Sequence, residues 1–217
     1  MAIVCAFFFI VKQRLSDIPT MFNYKSPTMK KTFLKLQIIL NFPRILPVWF
    51  IYKILRLIKP EVRKIDTDVN VWKKWKSVNS MPFFYLFVKF PEFRSVVYYR
   101  IGIIKFLVKW LYQPLKSLYI SSPQIGDGLM IQHGFSTIIS AEKLGANCHI
   151  FQQVTIGYNG DKRPIIGDNV IVCCGAKIIG GVTIGNNVTI GANAVVCKDV
   201  PDNCVVAGVP AKIIRRI

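Results

Sequence analysis

From Ile125 onward, aliphatic residues recur at every sixth position of the chain. A second apolar residue, usually a small one, follows four positions later in each case except at Glu142 and, after Ile156, at Gly160 in an inserted loop. Glycine and asparagine often stand between the two, as they do at tight corners that need a positive φ. This period predicts short strands stacked in three-sided coils, spaced about 4.8 Å apart, rather than a sandwich of ordinary strands. The aliphatic positions are 125, 131, 138, 144, 150, 156, 166, 172, 178, 184, 190 and 196.

Two irregularities interrupt this period. One extra residue precedes Ile138, and Glu142 then breaks the apolar pattern, so residues 137–143 form an irregular rung. Residues 158–164 (YNGDKRP) insert glycine, proline and charged residues between two regular runs. Such an insert predicts a solvated surface loop, and surface loops often carry function.

The N-terminal half has a helical pattern instead. Residues 29–57 predict helix with breaks at Pro43 and Pro47. Residues 96–118 predict an amphipathic helix, with Ser121–Ser122–Pro123 as a turn into the coils. We therefore expect a mainly β protein in three parts. These are a poorly determined segment at 1–28, a basic, aromatic-rich helical region at 29–120 and a coiled β domain at 121–217.

Charge divides the chain in the same way. Of 29 basic and 11 acidic residues, 21 and 5 lie in residues 1–120, which gives that half a net charge of +16. We expect a cytoplasmic protein, and the basic half rich in tryptophan predicts peripheral contact with anionic lipid at the inner face of the membrane. No nucleic-acid-binding motif accompanies the charge, so nucleic acid is not expected. The tryptophans concerned are Trp49, Trp72, Trp75 and Trp110.

The cysteines and histidines do not form a metal-binding pattern. Six cysteines occur without a Cys-x-x-Cys pair, and only two histidines are present, so no metal site is expected. Apolar packing in a reducing cytosol is the simplest role for the cysteines. His149 follows Cys148 directly, but alternation would send the two side chains to opposite faces, so His149 is expected at the surface.

Residues 95–217 resemble the hexapeptide-repeat acyltransferases, and most closely their serine acetyltransferase branch. The likeness is carried by GLMIQHG (128–134), IFQQVTIG (150–157), GDKRPIIGDNVIV (160–172) and AGVPAKII (207–214). The resemblance implies a left-handed parallel β-helix, acetyl-CoA as acyl donor, and a homotrimer whose active sites form between neighbouring copies.

The same resemblance implies that His133 is the catalytic base. His133 follows the core residue Ile131 by two positions, at a corner, so its side chain should project outward from the coil. An unperturbed imidazole has a pKa near 6.5 and can accept a proton from a hydroxyl at neutral pH. The expected reaction is direct transfer from acetyl-CoA to a hydroxyl, without an acyl-enzyme.

The acceptor residues depart from the family pattern. Gln132 stands where the family usually has aspartate, and Arg163 replaces the loop histidine beside Asp161 and Lys162. The aspartate that orients the histidine, about fifteen residues upstream in the family, corresponds to Leu118, which leaves Asp127 or Glu142 as substitutes. These departures favour a sugar or surface-polysaccharide precursor as acceptor. The alternatives are an authentic serine O-acetyltransferase and a non-catalytic scaffold or basic binding protein.

The resemblance also implies a coenzyme site along the coils. Backbone amides at Gly175, Ala176, Gly191 and Ala192 are expected to meet the pantetheine arm, and Gly208 belongs to the terminal motif. Basic side chains near the end of the chain are candidates for the coenzyme phosphates. These are Lys198, Lys212, Arg215 and Arg216.

Overall fold

The structure is a computed structural model that describes residues 27–217, so the predicted segment 1–28 lies almost wholly outside the described residues. The chain divides into two compact units, residues 1–40 and 41–217. The described part of the first unit is one stretch of helix. The helices of the described residues are α1 (Pro27–Ile58), α2 (Pro60–Trp75), α3 (Pro82–Lys89) and α4 (Pro91–Ile101), followed by a 3₁₀ segment at Gly102–Leu107.

Two predictions about these helices are wrong. The first helix continues through Pro43 and Pro47, both exposed, so water can reach the carbonyls that lose their backbone donor. The predicted helix over 96–118 begins earlier, at Pro91, where the proline lacks an N–H at a position that needs none. It ends at Ile101 because Gly102 takes a φ of 68°.

The C-terminal part is the predicted left-handed β-helix, whose strands form three parallel faces. Each of the first four coils contributes one short strand to faces A, B and C in turn, and the fifth contributes strands to faces A and C. Face A contains β1 (Leu118–Ile120), β4 (Thr137–Ile139), β7 (Thr155–Gly157), β10 (Lys177–Ile179) and β13 (Val195–Val196). Face B contains β2 (Gln124–Ile125), β5 (Lys143–Leu144), β8 (Ile165–Ile166) and β11 (Thr183–Ile184). Face C contains β3 (Met130–Ile131), β6 (His149–Ile150), β9 (Ile171–Val172), β12 (Thr189–Ile190), β14 (Cys204–Ala207) and the antiparallel β15 (Lys212–Arg216).

The turns between these strands line three edges of the prism. The A–B edge contains residues 121–123, 140–142, 158–164, 180–182 and 197–203. The B–C edge contains residues 126–129, 145–148, 167–170 and 185–188. The C–A edge contains residues 132–136, 151–154, 173–176, 191–194 and 208–211. Asparagines at positive φ stack along the B–C edge, where Asn169 donates to Asn187 at 3.0 Å, as the corner pattern predicts.

The core follows the six-residue period except at the irregular rung. Ile139 is fully buried, whereas Ile138, the predicted core residue, is 42% exposed. Phe135, predicted to point inward, is also exposed. The turn after β3 is longer than the period allows, so the strand enters the face one residue later. Ala141 then fills the core position expected for Glu142, which is exposed.

A buried ion pair joins the helices to the first coil. Arg100 of α4 and Asp68 of α2 are fully buried side chains, with Nε 3.1 Å from the carboxylate. Arg100 also donates to the carbonyls of Ile125 and Gly126, and Asp68 accepts from the N–H of Leu129. Trp72, expected at a lipid surface, is instead buried, and its indole N–H donates to the carbonyl of Leu129 at 2.9 Å. These bonds fix the helices against the coil that carries His133.

Candidate functional site

His133 lies at the C–A edge of the first coil, directly after β3. Its φ is 58°, a left-handed conformation that histidine tolerates better than most side chains. The side chain is exposed, as predicted, and its Nε2 lies 3.5 Å from the side-chain nitrogen of Gln132. The buried Ile131 two residues earlier anchors the turn in the core. The fold therefore presents an imidazole to solvent on a rigid corner.

Most of the predicted coenzyme-binding positions lie on the same edge, in the coils that follow. Gly175–Ala176, Gly191–Ala192 and Gly208 belong to successive turns of the C–A edge. A Cβ on Gly175, which has a φ of 72°, would overlap the side-chain oxygen of Asn193 in the next coil. Glycine is therefore required for this turn to stack, and the stacked turns form a line that runs from the His133 corner toward the C-terminus.

Three of the four predicted amide donors are already engaged in hydrogen bonds. The N–H of Gly175 donates to Gln152 at 3.0 Å, that of Ala176 to Cys173 at 3.3 Å, and that of Gly191 to Val206 at 2.8 Å. Within residues 27–217, the N–H of Ala192 makes no hydrogen bond. Of these four residues, Ala192 is therefore the one whose backbone N–H is free to donate to a ligand.

The predicted acceptor loop lies at a different edge. Residues 158–164 follow β7 at the A–B edge, where Asn159 and Lys162 form a short bridge. Asp161 and Lys162 are exposed, and the Arg163 guanidinium lies 5.8 Å from the ring centre of Tyr158. Because face A separates the two edges, one chain does not bring this loop to His133.

The other charged candidates divide among the edges. Asp127 lies at the B–C edge and Glu142 at the A–B edge, so neither shares the edge of His133. Lys198 also lies at the A–B edge. Lys212 pairs with Ala207 beside the C–A edge, whereas Arg215 and Arg216 pair with Val205 and Cys204, farther along face C. Of the predicted phosphate contacts, Lys212 is therefore placed nearest the edge of His133.

The second histidine is buried, so the expected surface position for His149 is wrong. His149 is 5% exposed, with its ring 4.5 Å from that of Trp75 and 4.6 Å from that of Phe151. Burial, helped by the nearby charge of Lys76, lowers the pKa of His149 to about 4, so it is neutral at pH 7. Burial raises the pKa of Cys148 to about 12, which makes it a poor nucleophile.

A cavity of about 490 Å³ lies against face B, away from His133. It is lined by Glu61 and Lys64 of α2 and by coil residues that include Lys143 and Asp168. Within the described residues, no group of three or more His, Cys, Asp or Glu side chains is placed to hold a metal ion. The cavity is therefore separate from the His133 edge.

Sequence reasoning missed one carboxylate beside the His133 turn. Glu92, in the first turn of α4, has its Cγ 3.2 Å from the position that a Cβ would take on Gly134. Its Oε2 is buried and accepts no hydrogen bond from any residue between 27 and 217. No sequence motif marks Glu92, because the packing of α4 against the first coil brings this residue to the His133 turn.

Comparisons with known proteins agree with this fold. The bacterial transferase hexapeptide (six repeats) family matches residues 163–198. A serine acetyltransferase of Synechococcus elongatus is 34% identical over 148 residues, which cover 58% of each chain. A serine acetyltransferase of Staphylococcus xylosus is 44% identical over 98 residues, which cover 43% of this chain and 45% of the relative. The chain thus spans about half the length of these curated relatives.

Solved structures give the same result. The serine acetyltransferase of Neisseria gonorrhoeae superposes with a TM-score of 0.60 at 26% identity, covering 72% of this chain and 66% of that one. The same enzyme in complex with serine gives a TM-score of 0.58 at 28% identity. The predicted resemblance to hexapeptide-repeat proteins of the serine acetyltransferase type is therefore confirmed.

Proposed function

Because this chain carries a hexapeptide-repeat β-helix of the serine acetyltransferase type, we propose that it is an acetyl-CoA-dependent O-acetyltransferase with serine as acceptor. The observation that carries the proposal is the position of His133. Its exposed imidazole lies at the head of an edge whose following turns hold the predicted coenzyme positions. The names of the relatives favour serine over the sugar acceptor that the loop residues first indicated.

In the proposed mechanism, His133 acts as general base. Its neutral ring takes the proton of the acceptor hydroxyl as the oxygen attacks the thioester carbonyl of acetyl-CoA. The carbon–sulfur bond then breaks, and the coenzyme thiolate leaves with the proton returned from the imidazolium. A backbone N–H would stabilise the oxyanion, as it does in acyl transfer generally. The free N–H of Ala192 is the candidate contact for the pantetheine arm.

A homotrimer would complete this site. The loop at 158–164 and Lys198 share the A–B edge, whereas His133 lies at the C–A edge of the same chain. In a closed threefold assembly, the A–B edge of one copy can face the C–A edge of its neighbour. We infer that Asp161, Lys162 and Arg163 serve the His133 of a neighbouring copy.

The acceptor is tested by the release of coenzyme thiol from acetyl-CoA. We expect release to depend on serine and to exceed that with glucose or galactose at equal concentration. A sugar is the second candidate, because Gln132, Arg163 and Leu118 replace groups that the serine-specific pattern contains. Faster thiol release with a hexose than with serine would show that the acceptor is a sugar and not serine. Release with neither, together with no coenzyme binding by calorimetry, would favour a non-catalytic scaffold.

We also propose a peripheral contact with anionic membranes through α1. Residues Lys35–Ile58 form a helix that is long and apolar enough to cross a bilayer by length and composition. One face of its second half is buried against the protein, through Ile45, Val48, Tyr52 and Leu55. A helix with a protein-covered face lies along a membrane surface more readily than across the bilayer.

The opposite face of α1 is apolar and exposed, and we call it the lipid face. It consists of Leu46, Phe50, Ile54 and Leu57, which recur at helical spacing. The segment after α4 exposes further apolar side chains, and Lys109 lies 4.2 Å from the ring centre of Phe106. Arg44 links this segment to α1 by donating to the carbonyl of Leu111. Apolar side chains beside lysines in a half of charge +16 match an anionic lipid surface.

Vesicle co-sedimentation tests the lipid face. The full chain should bind phosphatidylglycerol-containing vesicles more strongly than pure phosphatidylcholine vesicles, and salt should weaken the binding. The triple variant Leu46→Ser, Phe50→Ser, Ile54→Ser should lose about tenfold in affinity or more, because each side chain buries apolar area in lipid. Binding that ignores both salt and lipid charge would contradict the proposal. Self-association without vesicle binding would instead assign this face to a contact between copies.

A further inference from the structure

Glu92 holds a buried, unsatisfied carboxylate oxygen against the turn that carries His133. Among residues 27–217, no donor reaches its Oε2. Burying a carboxylate oxygen without a donor is costly, so native structures rarely do it without a purpose. The side chain can approach this closely because Gly134 has no Cβ. The observation therefore calls for a hydrogen-bond donor that engages Glu92 in the working enzyme.

Arg94 lies near Glu92 but does not donate a hydrogen bond to its Oε2. Arg94 lies close enough to feel the charge of Glu92, but its guanidinium donates to the carbonyls of Gln113 and Phe87, both at 2.7 Å. It donates to Val88 as well, at 3.1 Å. The imidazole of His133 is the nearest titratable side chain in sequence to Gly134, against which Glu92 packs.

Leu118 provides no carboxylate beside the His133 turn, so a carboxylate at this point has to come from another element. Its Cδ2 lies 3.3 Å from the same point beside Gly134 that Glu92 approaches from the other element. Leu118 stands at the place in the chain where the resemblance implied an orienting aspartate. The coil thus offers a hydrocarbon at this point, while α4 brings a carboxylate to the same space.

We propose that Glu92 is the positioning residue of His133, an inference that rests on the proposed acetyl transfer. Its carboxylate would accept the N–H of the ring nitrogen that faces away from the acceptor. This fixes the tautomer and stabilises the imidazolium formed when the other nitrogen takes the hydroxyl proton. Glu92 transfers no proton in this scheme. Hydrogen bonds of this kind are often loose in the free enzyme and tighten with substrate bound.

The test compares Glu92→Gln with the unaltered chain and with Glu61→Gln, a control at an exposed carboxylate of α2. Thiol release is measured against acceptor concentration and pH. We expect kcat of Glu92→Gln to fall roughly 10- to 100-fold, a part of the about 10²–10⁴ that general-base catalysis supplies. The KM for the acceptor should stay within about twofold. A carboxylate favours the imidazolium, so its removal should move the acid limb of the kcat profile, which reports the substrate-bound enzyme, to lower pH.

The kcat, the acceptor KM and the acid limb together distinguish a positioning role of Glu92 from the alternatives. An acid limb and kcat that match the unaltered chain would overturn the proposal. A rise in acceptor KM alone would also overturn it, because Glu92 would then bind the acceptor rather than orient the base. Glu92→Asp keeps the charge, so it should retain the unaltered acid limb and lose less kcat than Glu92→Gln. Absence of thiol release in the unaltered chain would instead refute the proposed function, before Glu92 is tested.

Discussion

Replacing His133 with alanine is expected to lower kcat for thiol release by about 10²–10⁴, the usual contribution of a general base. The imidazole is exposed, so its loss leaves no cavity in the core. Coenzyme binding should persist, because the predicted donor contacts lie in the turns of later coils. The measurement is the rate of thiol release at saturating acceptor, with coenzyme affinity determined in parallel by calorimetry.

Gln153→Ala is the matched control for this variant. Gln153 is also exposed, at the same edge, with a φ of 60° close to that of His133. Placing alanine at either position imposes the same backbone cost, so any difference in rate reports the imidazole. A His133→Ala chain that keeps full activity would remove His133 from the mechanism, even if the fold and coenzyme binding were unchanged.

Arg100→Met is expected to lower the free energy of unfolding by about 3–5 kcal/mol. The substitution leaves the fully buried Asp68 with a charge that no longer has its partner. It also removes the donors to the carbonyls of Ile125 and Gly126, at the start of the first coil. Urea unfolding followed by circular dichroism measures the change.

An exposed ion pair provides the comparison for Arg100. Arg56→Ala breaks the contact between Arg56 and Asp66, whose side chains are partly solvated, and should cost less than about 1 kcal/mol. Equal effects of the two substitutions would show that the buried pair does not hold the helices to the coil. Asp68→Ala should resemble Arg100→Met, because it too strands one buried charge.

The β-helix could be predicted from the sequence because its coils repeat a single local rule. Each coil needs an inward aliphatic residue on every face and a corner residue that accepts a positive φ. Buried Ile150, Ile156 and Ile166 obey the first requirement, and Asn147 and Asn169 obey the second. The six-residue period fails between Ile131 and Leu144. An inserted residue shifts the strand by one position there, so that Ile139 is buried and Ile138 is exposed.

The helical half was less predictable because no repeat constrains it. Proline usually ends a helix, but α1 continues through Pro43 and Pro47 because both prolines are exposed and water can bind the carbonyls that lose a backbone donor. Residues 71–76 (VWKKWK) place two tryptophans among lysines, and nothing in that pattern shows that Trp72 is buried while Trp75 is exposed. Which side of a helix is covered depends on partners that lie far away in the chain.

The site was predictable only where a motif marks it. The corner position two residues after the buried Ile131 predicted the exposure of His133, which the structure shows. Glu92 could not be found in this way, because α4 brings it to Gly134 through tertiary packing. The buried environment of His149 likewise depends on Trp75 from α2, which sequence alternation does not reveal.

The most direct test of the account follows the acetyl group itself. The full chain is incubated with serine and acetyl-CoA labelled in the acetyl carbons, and the recovered serine is analysed by mass spectrometry. We expect labelled O-acetylserine with the unaltered chain and little or none with His133→Ala. Serine recovered without label, from a folded chain that leaves the thioester intact, would contradict the proposed transfer of acetyl to serine.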